Sequence, residues 1–247
     1  MSNTGTLHTR RLGRELIRLR EAAELEVTAV ALDMRRSVTE LVAVESGHRR
    51  AGWSTVAWLL ARYAADDVDR AAVRELWQET TEAGPPADRA FSRAVAEAAT
   101  LSVFGQVVIP RVLRTPGYAE AADLPAPPPL PTGSSTVHAV VDESALLRLD
   151  PEADAHQLRH VLEVAEQPHV TLQVLPLRAG AHRHWLTPFT VLTFTDHPAA
   201  VHHDSDPRPR WSEDADQVDA AVEAFSRATR RALAPADSAE LIRRLVR

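Results

Sequence analysis

The sequence predicts a mainly α-helical N-terminal domain of five short helices, followed by an α+β domain with a small mixed or antiparallel sheet. Three observations lead to this prediction. Apolar residues recur at helical spacing between residues 8 and 80. Alternation with a period of two, typical of strands, occurs at 170–175 and 189–194. The breaker run AGPP at 83–86 separates the two patterns. We therefore expect domains at residues 1–82 and 87–247.

Each part has a predicted order of elements. In the N-terminal domain, the apolar spacing predicts helices over 8–23, 27–34, 37–45, 53–64 and 66–80. In the second domain, it predicts helices over 87–100, 154–166, 213–232 and 236–246, and strands over 103–108, 137–141, 170–175, 189–194 and 199–203. The tetrad TDHP at 195–198 is typical of a hairpin turn. The proline-rich segment 124–135 predicts a stiff loop without regular structure.

Composition limits the classes of function. The 247 residues contain no cysteine, which excludes disulfides and thiolate sites, and the net charge of -6 argues against a protein that coats nucleic acid. Residues 1–50 hold nine arginines and seven acidic residues, so any contact with DNA belongs to the N-terminal domain. The sequence shows neither an apolar run long enough to span a bilayer nor a secretory signal, so we expect a cytoplasmic protein without membrane contact.

Residues 20–50 carry the spacing of a helix-turn-helix. The segment REAAEL ends the first helix, and Glu45 and Gly47 follow the predicted third helix in register. The apolar positions between them are Leu25, Val30, Ala31, Met34, Leu41 and Val44. This arrangement resembles the XRE (Cro/C1-type) helix-turn-helix family. The resemblance implies a DNA-binding domain whose recognition helix covers residues 37–45.

The positions that contact DNA in such domains depart from the family pattern. Val27 stands where a phosphate-contacting glutamine is usual, and Arg35 replaces the turn glycine. Residues 38–43 (VTELVA) lack the arginine, lysine, asparagine or glutamine donors that read base edges. The flanking basic residues could still hold phosphates, which positions a protein without specifying sequence. The candidate DNA-binding residues are Arg35, Arg36, Ser37, Thr39, Glu40, His48, Arg49 and Arg50.

A second resemblance covers the chain from about residue 87 onward. Its ordered blocks are IPRVLRTPGYA at 109–119, VVDESALL at 140–147, LRHVLEVA at 158–165, VTLQVLP at 170–176, GAH at 180–182, PFTVL at 188–192 and ALAPADSAELI at 232–242. This order resembles the uncharacterised C-terminal domain of actinobacterial XRE regulators of the WhiJ-like group. The resemblance implies a domain that senses a small molecule or contacts a small partner protein.

Two departures from this second pattern suggest an altered ligand site. Arg111 and Arg114 replace a usual glycine and glutamine, and a helical stretch is shortened to the proline-rich segment 124–135. Loss of a packed helix exposes apolar surface or opens a cavity, and cavities bind ligands. The candidate ligand-binding residues are Arg111, Arg114, Tyr118, Trp185, Phe189 and Trp211, although a place in the core of the second domain is the favoured interpretation for the aromatic residues among them.

Histidines occur in two clusters, at 182–184 and at 202–203 before Asp204. They offer acid–base or metal chemistry, with His182, His184, His203 and Asp204 as catalytic candidates, but surface or loop histidines with hydrogen-bonding roles are the favoured interpretation. Neither a P-loop, a GxGxxG, a nucleophile elbow nor an HExxH occurs, so we expect no cofactor and no metal. Asp142 and Glu143 follow a predicted strand, where carboxylates commonly cap a helix.

Three functions fit these observations. The first is a homodimeric transcriptional regulator, because operator half-sites call for two copies; its DNA docking would respond to a small molecule or partner protein on the C-terminal domain. The second is a repurposed regulator-like protein of a biosynthetic pathway that no longer reads DNA and binds or converts a small apolar metabolite, as a cyclase would. The third is a protein–protein interaction module.

Overall fold

The chain forms two compact units, residues 1–86 and 87–247, in a computed structural model. The structure describes residues 6–80, 87–131, 133–150, 154–180, 187–204 and 210–246. The predicted breaker at 83–86 lies outside the described residues. Within them, none of the helices combines the length and apolar content that crossing a membrane requires.

The N-terminal unit is helical throughout its described residues, as predicted. Its helices are α1 (Leu7–Ala22), α2 (Val27–Asp33), α3 (Val38–Glu45), α4 (Trp53–Arg62) and α5 (Asp67–Glu79). One apolar stripe from each helix fills a single core, with Leu16, Val30, Leu41, Leu59 and Val73 at most 2% exposed. The helical spacing of these residues is what made the unit predictable.

Helix α1 lies very close to the end of α3. A Cβ atom at Gly13 would lie 2.1 Å from the backbone oxygen of Glu45, which is an impossible contact. The side chain of Glu45 is buried, and it accepts hydrogen bonds from Arg20 Nε at 2.9 Å and from the Tyr63 hydroxyl at 2.9 Å. Burial and the negative charge of Glu45 raise the pKa of Tyr63. This buried network fixes α3 against α1 and α4.

The C-terminal unit is an α+β domain, which confirms the predicted fold class. Its elements are α6 (Ala87–Glu97), β1 (Thr100–Gly105), α7 (Pro116–Ala121), β2 (Thr136–Asp142), α8 (Glu143–Leu147), α9 (Ala155–Ala165), β3 (Val170–Leu175), β4 (Phe189–Thr193), β5 (Ala200–His203), β6 (Arg210–Ser212), α10 (Ala215–Arg231) and α11 (Pro235–Leu245).

The described strands form one mixed sheet in the order β3-β2-β1-β4-β5-β6. Strands β1, β2 and β3 are parallel, and β4, β5 and β6 are antiparallel to their neighbours. The strands β4 and β5 are joined through residues 194–199, as the turn at 195–198 predicted. Because β1 is parallel to β2 and antiparallel to β4, its carboxyl end lies beside the start of β4 and the end of β5.

The two faces of the sheet are covered by different helices. Helix α10 packs on one face, where Phe225 and Ala228 contact the cluster that contains Phe104 and Val201. Side chains alternate along a strand, so His202 projects to the other face, where its ring lies 4.5 Å from that of Phe91. Helix α6 therefore covers the face opposite α10.

Four local features differ from the prediction or refine it. Strand β1 covers 100–105 rather than 103–108, because Val107 adopts a positive φ of 63° and turns the chain. Helices α7 and α8 and strand β6 were not predicted, since three to six residues give too little periodicity. Asp142 caps α8 by accepting a hydrogen bond from Ser144 N, whereas Glu143 accepts one from Leu177 N. The described residues between 124 and 135 contain neither helix nor strand, as predicted.

Candidate functional site

The turn between α2 and α3 has four residues, 34–37, a length typical of helix-turn-helix motifs. Its second residue, Arg35, has a φ of 54°, in the region that favours glycine. The amide of Arg36 donates to the Ala31 carbonyl and that of Arg35 to Leu32, which closes α2 in a Schellman-type turn. Arg35 thus fills the glycine position of the turn at a cost in backbone strain.

Helix α3 exposes a surface that is largely apolar. Val38 and Val42 are 39% and 46% exposed, and Thr39 between them is exposed too. These side chains can contact a thymine methyl group but offer little to the other base edges. The hydroxyl of Ser37, another candidate for contact with DNA, is already engaged, because it caps α3 by accepting a hydrogen bond from Glu40 N.

Glu40 pairs with two of the basic candidates. Its Oε1 accepts hydrogen bonds from Arg49 Nη1 at 3.1 Å and from Arg36 Nη1 at 3.4 Å. Hydrogen bonds from the backbone of Ser37 and from Arg49 lower the pKa of Glu40, so the carboxylate is charged at neutral pH. The two arginines are more than half exposed and remain reachable, but a phosphate has to compete with Glu40 for them.

The two remaining basic candidates lie on the loop after α3. His48 is exposed and its Nδ1 shares a hydrogen bond of 2.7 Å with the Ser46 hydroxyl. Arg50 donates to the Thr80 hydroxyl at 3.2 Å and stacks 6.0 Å from the ring of Trp77. The described candidates Arg35, Arg36, His48, Arg49 and Arg50 are all exposed, which a phosphate contact requires.

A cavity of about 90 Å³ lies beside this helix pair. Its apolar wall includes Met34, Leu41 and Leu59, and Glu40 and Arg49 are among its charged lining residues. Its one carboxylate, Glu40, pairs with Arg36 and Arg49, and Arg50 donates to the Thr80 hydroxyl, so each charged lining residue already has a polar partner. We therefore assign the cavity no separate ligand.

A second cavity lies in the C-terminal unit at the end of the sheet where β1 ends and β4 begins. It has a volume of about 20 Å³. The lining residues are Phe91, Val103, Phe104, Val108, Pro110, Arg111, Arg114, Pro188, Phe189, Thr190, His202 and Asp204. Three ligand candidates predicted from the sequence, Arg111, Arg114 and Phe189, are therefore brought together here with the catalytic candidate Asp204.

A tightly folded loop presents the two arginines. A Cβ atom at Gly105 would lie 2.2 Å from the ring of Pro110, so the absence of a side chain lets the loop fold back on the end of β1. Val107, in this loop, is a β-branched residue with a φ of 63°, which marks stored strain. Strain of this kind is more common at binding sites than elsewhere.

Both arginines are buried, with 4% of each residue exposed. Arg111 Nε donates to the Ala126 carbonyl at 2.8 Å, and its guanidinium lies 4.9 Å from the ring centre of Phe91. Arg114 donates to the carbonyls of Ile109 and Pro125. These contacts connect the cavity to the proline-rich segment, whose carbonyls hold both guanidiniums.

Arg114 also forms an ion pair with Asp204, between Nη2 and Oδ2 at 3.3 Å. Burial lowers the pKa of Arg114 and the negative charge of Asp204 opposes that effect. A buried guanidinium with one partly exposed carboxylate partner is costly to desolvate. The site can therefore gain stability from a further negative group.

His202 is the most buried polar residue of the site, with 1% of its surface exposed. Its ring packs against those of Phe91, at 4.5 Å, and Trp211, at 4.6 Å, whose own centroids lie 6.3 Å apart. Burial and the nearby charge of Arg111 lower its pKa to about 3, so the imidazole is neutral at pH 7. Its Nε2 has no hydrogen-bond partner among the described residues.

The other predicted residues are placed as follows. His203 lies on the opposite face from His202, 6.3 Å from Phe189, and burial lowers its pKa. Trp211 packs against His202 with its ring tilted by 53° rather than lining the cavity, and the Tyr118 hydroxyl accepts a hydrogen bond from Ile109 N. The candidates His182, His184 and Trp185 lie outside the described residues. In the described part of the chain, no three potential metal ligands come together.

Two supporting residues escaped the sequence prediction. Phe91 forms an aromatic wall of the cavity from α6. Gln157 is 1% exposed on α9; its Oε1 accepts from Thr115 N at 2.7 Å and its Nε2 donates to the Leu113 carbonyl at 2.8 Å. Gln157 thus holds the backbone on both sides of Arg114. Its only signal in the sequence is a polar residue within the apolar stripe of a helix.

Comparison with known families identifies only part of the chain. Residues 129–244 match a domain of unknown function, DUF5753. The match begins after the loop that carries Arg111 and Arg114, and it extends from the end of the proline-rich segment to α11. No curated protein and no solved structure matches the chain.

Proposed function

We propose that this protein is a transcriptional regulator of the XRE type, whose DNA docking by the N-terminal domain responds to a small molecule bound in the C-terminal domain. The observation that carries the proposal is the α2–α3 pair: two helices joined by a four-residue turn, with exposed arginines at both ends of the second helix. A helix presented in this way can enter the major groove while the arginines hold the backbone.

Phosphate contacts supply most of the affinity in this proposal. Arg35 and Arg36 precede α3, and Arg49 and Arg50 follow it. The apolar surface of α3 leaves sequence selection to contacts with thymine methyl groups and to the shape of the DNA. The C-terminal domain resembles the WhiJ-like group, and its cavity offers the place where a ligand acts.

The test is a gel shift with the DNA upstream of the protein's own gene, at several salt concentrations. We expect binding that weakens steeply with salt, with a slope near -0.9 for each phosphate contact. Arg49→Gln should weaken binding, whereas Arg230→Gln, at an exposed position of α10, should leave it unchanged. Absence of a shift at about 50 mM salt would contradict the proposal.

A second function is favoured by one observation, the ion pairs of Glu40. An acidic residue on α3 that occupies Arg36 and Arg49 opposes DNA binding and fits a regulator-like protein that instead binds or converts a small apolar metabolite. The two functions differ in the same gel shift, since the second predicts ligand binding without any DNA binding. Location of the gene within a biosynthetic cluster, as an apparent pathway step, would favour this second function.

A further inference from the structure

We infer that the cavity at the end of the sheet in the C-terminal unit binds the carboxylate group of a small aromatic or apolar acid, with Arg114 and His202 as the groups that recognise it. The inference rests on the proposed ligand-binding role of this domain and specifies the chemistry of the ligand. Three observations support it: the hydrogen-bonding capacity left on Arg114, the unsatisfied nitrogen of His202, and the size and lining of the cavity.

The first observation concerns the donors of Arg114. A guanidinium has five N–H groups. Nε donates to Ile109, Nη1 to Pro125 and Nη2 to Asp204, so three of the five have acceptors in the described part of the chain. Each Nη carries one further hydrogen. Carboxylates are the acceptors that best match a guanidinium, because charge strengthens the hydrogen bond at both ends.

The second observation concerns His202. Leaving a buried nitrogen without a partner is destabilising, and the described residues offer Nε2 none. In the tautomer that carries its proton on Nε2, the imidazole donates to an anion without adding a buried charge. Phe91 and Trp211 pack against the ring from two different directions, and this restricts how it can turn. The position of Nε2 is therefore set before any ligand arrives.

The third observation is the size and lining of the cavity. A volume of about 20 Å³ admits roughly one water-sized group, which is the size of a carboxylate oxygen. The walls next to the arginines are apolar or aromatic and include Phe91, Phe104 and Phe189. The partly exposed lining residues Val108 and Pro188 mark where the rest of the ligand leaves the cavity. An apolar molecule with a single carboxylate fits this lining.

The experiment is a calorimetric titration of the full chain with benzoate, and with benzamide as the neutral analogue of the same shape. We expect benzoate to bind and benzamide to bind at least about tenfold more weakly, since the charged partner is lost. A titration with sodium chloride at the same concentration is the control, because it shows whether the site binds any small anion. Equal affinity for the two aromatic probes, equal binding of chloride, or no benzoate binding at about 10 mM would each overturn the inference.

Two variants locate the site. Arg114→Gln and His202→Phe should each weaken benzoate binding about tenfold, whereas Arg230→Gln should not change it. Benzoate binding that survives both substitutions would show that it binds elsewhere and would overturn the inference. Should Arg114→Gln fail to fold, His202→Phe and the comparison of the two probes still decide the question. The gel shift is independent of all these titrations, so failure of DNA binding and failure of carboxylate binding are separate outcomes.

Discussion

Glu40 Oε1 accepts a hydrogen bond from Arg49 Nη1 at 3.1 Å, which joins the first turn of α3 to the basic loop behind it. The same carboxylate accepts a hydrogen bond from Arg36, on the other side of the helix start. One acidic residue therefore partly neutralises two of the four arginines that flank α3. In the DNA-binding role that we propose, this pairing would limit how strongly Arg36 and Arg49 hold phosphates.

Replacing Glu40 with glutamine should strengthen DNA binding. Glutamine keeps the capping position but removes the charge, so Arg36 and Arg49 become available to phosphates. We expect the slope of log affinity against log salt to steepen by up to about 1.8, corresponding to two more phosphate contacts. Gel shifts over a range of salt measure this slope. Glu240→Gln, which breaks an exposed pair with Arg244 in α11, is the matched control; an unchanged slope in Glu40→Gln would refute the competition between Glu40 and phosphate.

Replacing Arg35 with glycine should stabilise the N-terminal unit. Arg35 has a positive φ, a backbone conformation that costs a residue with a side chain about 1–2 kcal/mol. Glycine removes this cost, but it also raises the entropy of the unfolded chain, which offsets part of the gain in stability. The net gain should be about 0.5–1 kcal/mol in the free energy of unfolding by urea. Arg36→Gly, at the next position with an ordinary φ, should instead lower stability by about 0.5 kcal/mol. A loss of stability in both variants would contradict the strain at Arg35.

Replacing Gly13 with alanine should destabilise the N-terminal unit by about 3 kcal/mol, because the new Cβ would overlap the backbone of Glu45. Urea denaturation measures the loss. Gly117→Ala in α7 is the control, since no atom lies within 4 Å of its added Cβ and alanine favours helix by up to about 1 kcal/mol. Similar effects of the two substitutions would argue against the close approach of α1 and α3.

The free energy of unfolding should decrease as the pH falls, and part of this decrease should come from His202. The pKa of His202 is about 3 in the folded protein, below the ordinary value of 6.5, so the unfolded chain takes up the proton first as the pH falls. Neutral His202 therefore leaves the free energy of unfolding at its full value above pH 6.5, and this free energy decreases as the pH falls from 6.5 toward 3. At pH 5 the loss relative to pH 7 should be about 2 kcal/mol.

The measurement for this prediction is the difference in unfolding free energy between the wild type and His202→Phe at pH 7 and at pH 5. The variant should lose about 2 kcal/mol less than the wild type between these pH values, because phenylalanine has no proton to gain, while His203, whose pKa is also lowered, still contributes to the loss in both proteins. His48→Asn, at an exposed position, should follow the wild type. If His202→Phe loses stability between the two pH values as the wild type does, His202 is not the buried neutral group described above.

The N-terminal helices and most strands were predictable because local periodicity reports which face of an element is buried. The boundaries of α1 and α5 differ from the prediction by one residue at each end, since caps such as Thr6 and Asp66 are local signals. Helix α7 and strand β6 carry too few residues for such a signal. The sequence also placed Arg111, Arg114 and Phe189 in one candidate ligand set, and the structure brings all three to the same cavity.

By itself, the sequence determined the helical first domain, the α+β second domain and the unusual arginines at 111 and 114, because these depend on residue type and local spacing. Only the tertiary structure decided that Asp204 pairs with Arg114, that Gln157 holds the loop around Arg114, and that His202 lines the same cavity as both arginines. Such relationships join residues that are far apart in the chain; Arg114 and Asp204, for example, are 90 positions apart. They arise from the pairing order of the strands and the packing of loops on the sheet, which no local pattern encodes.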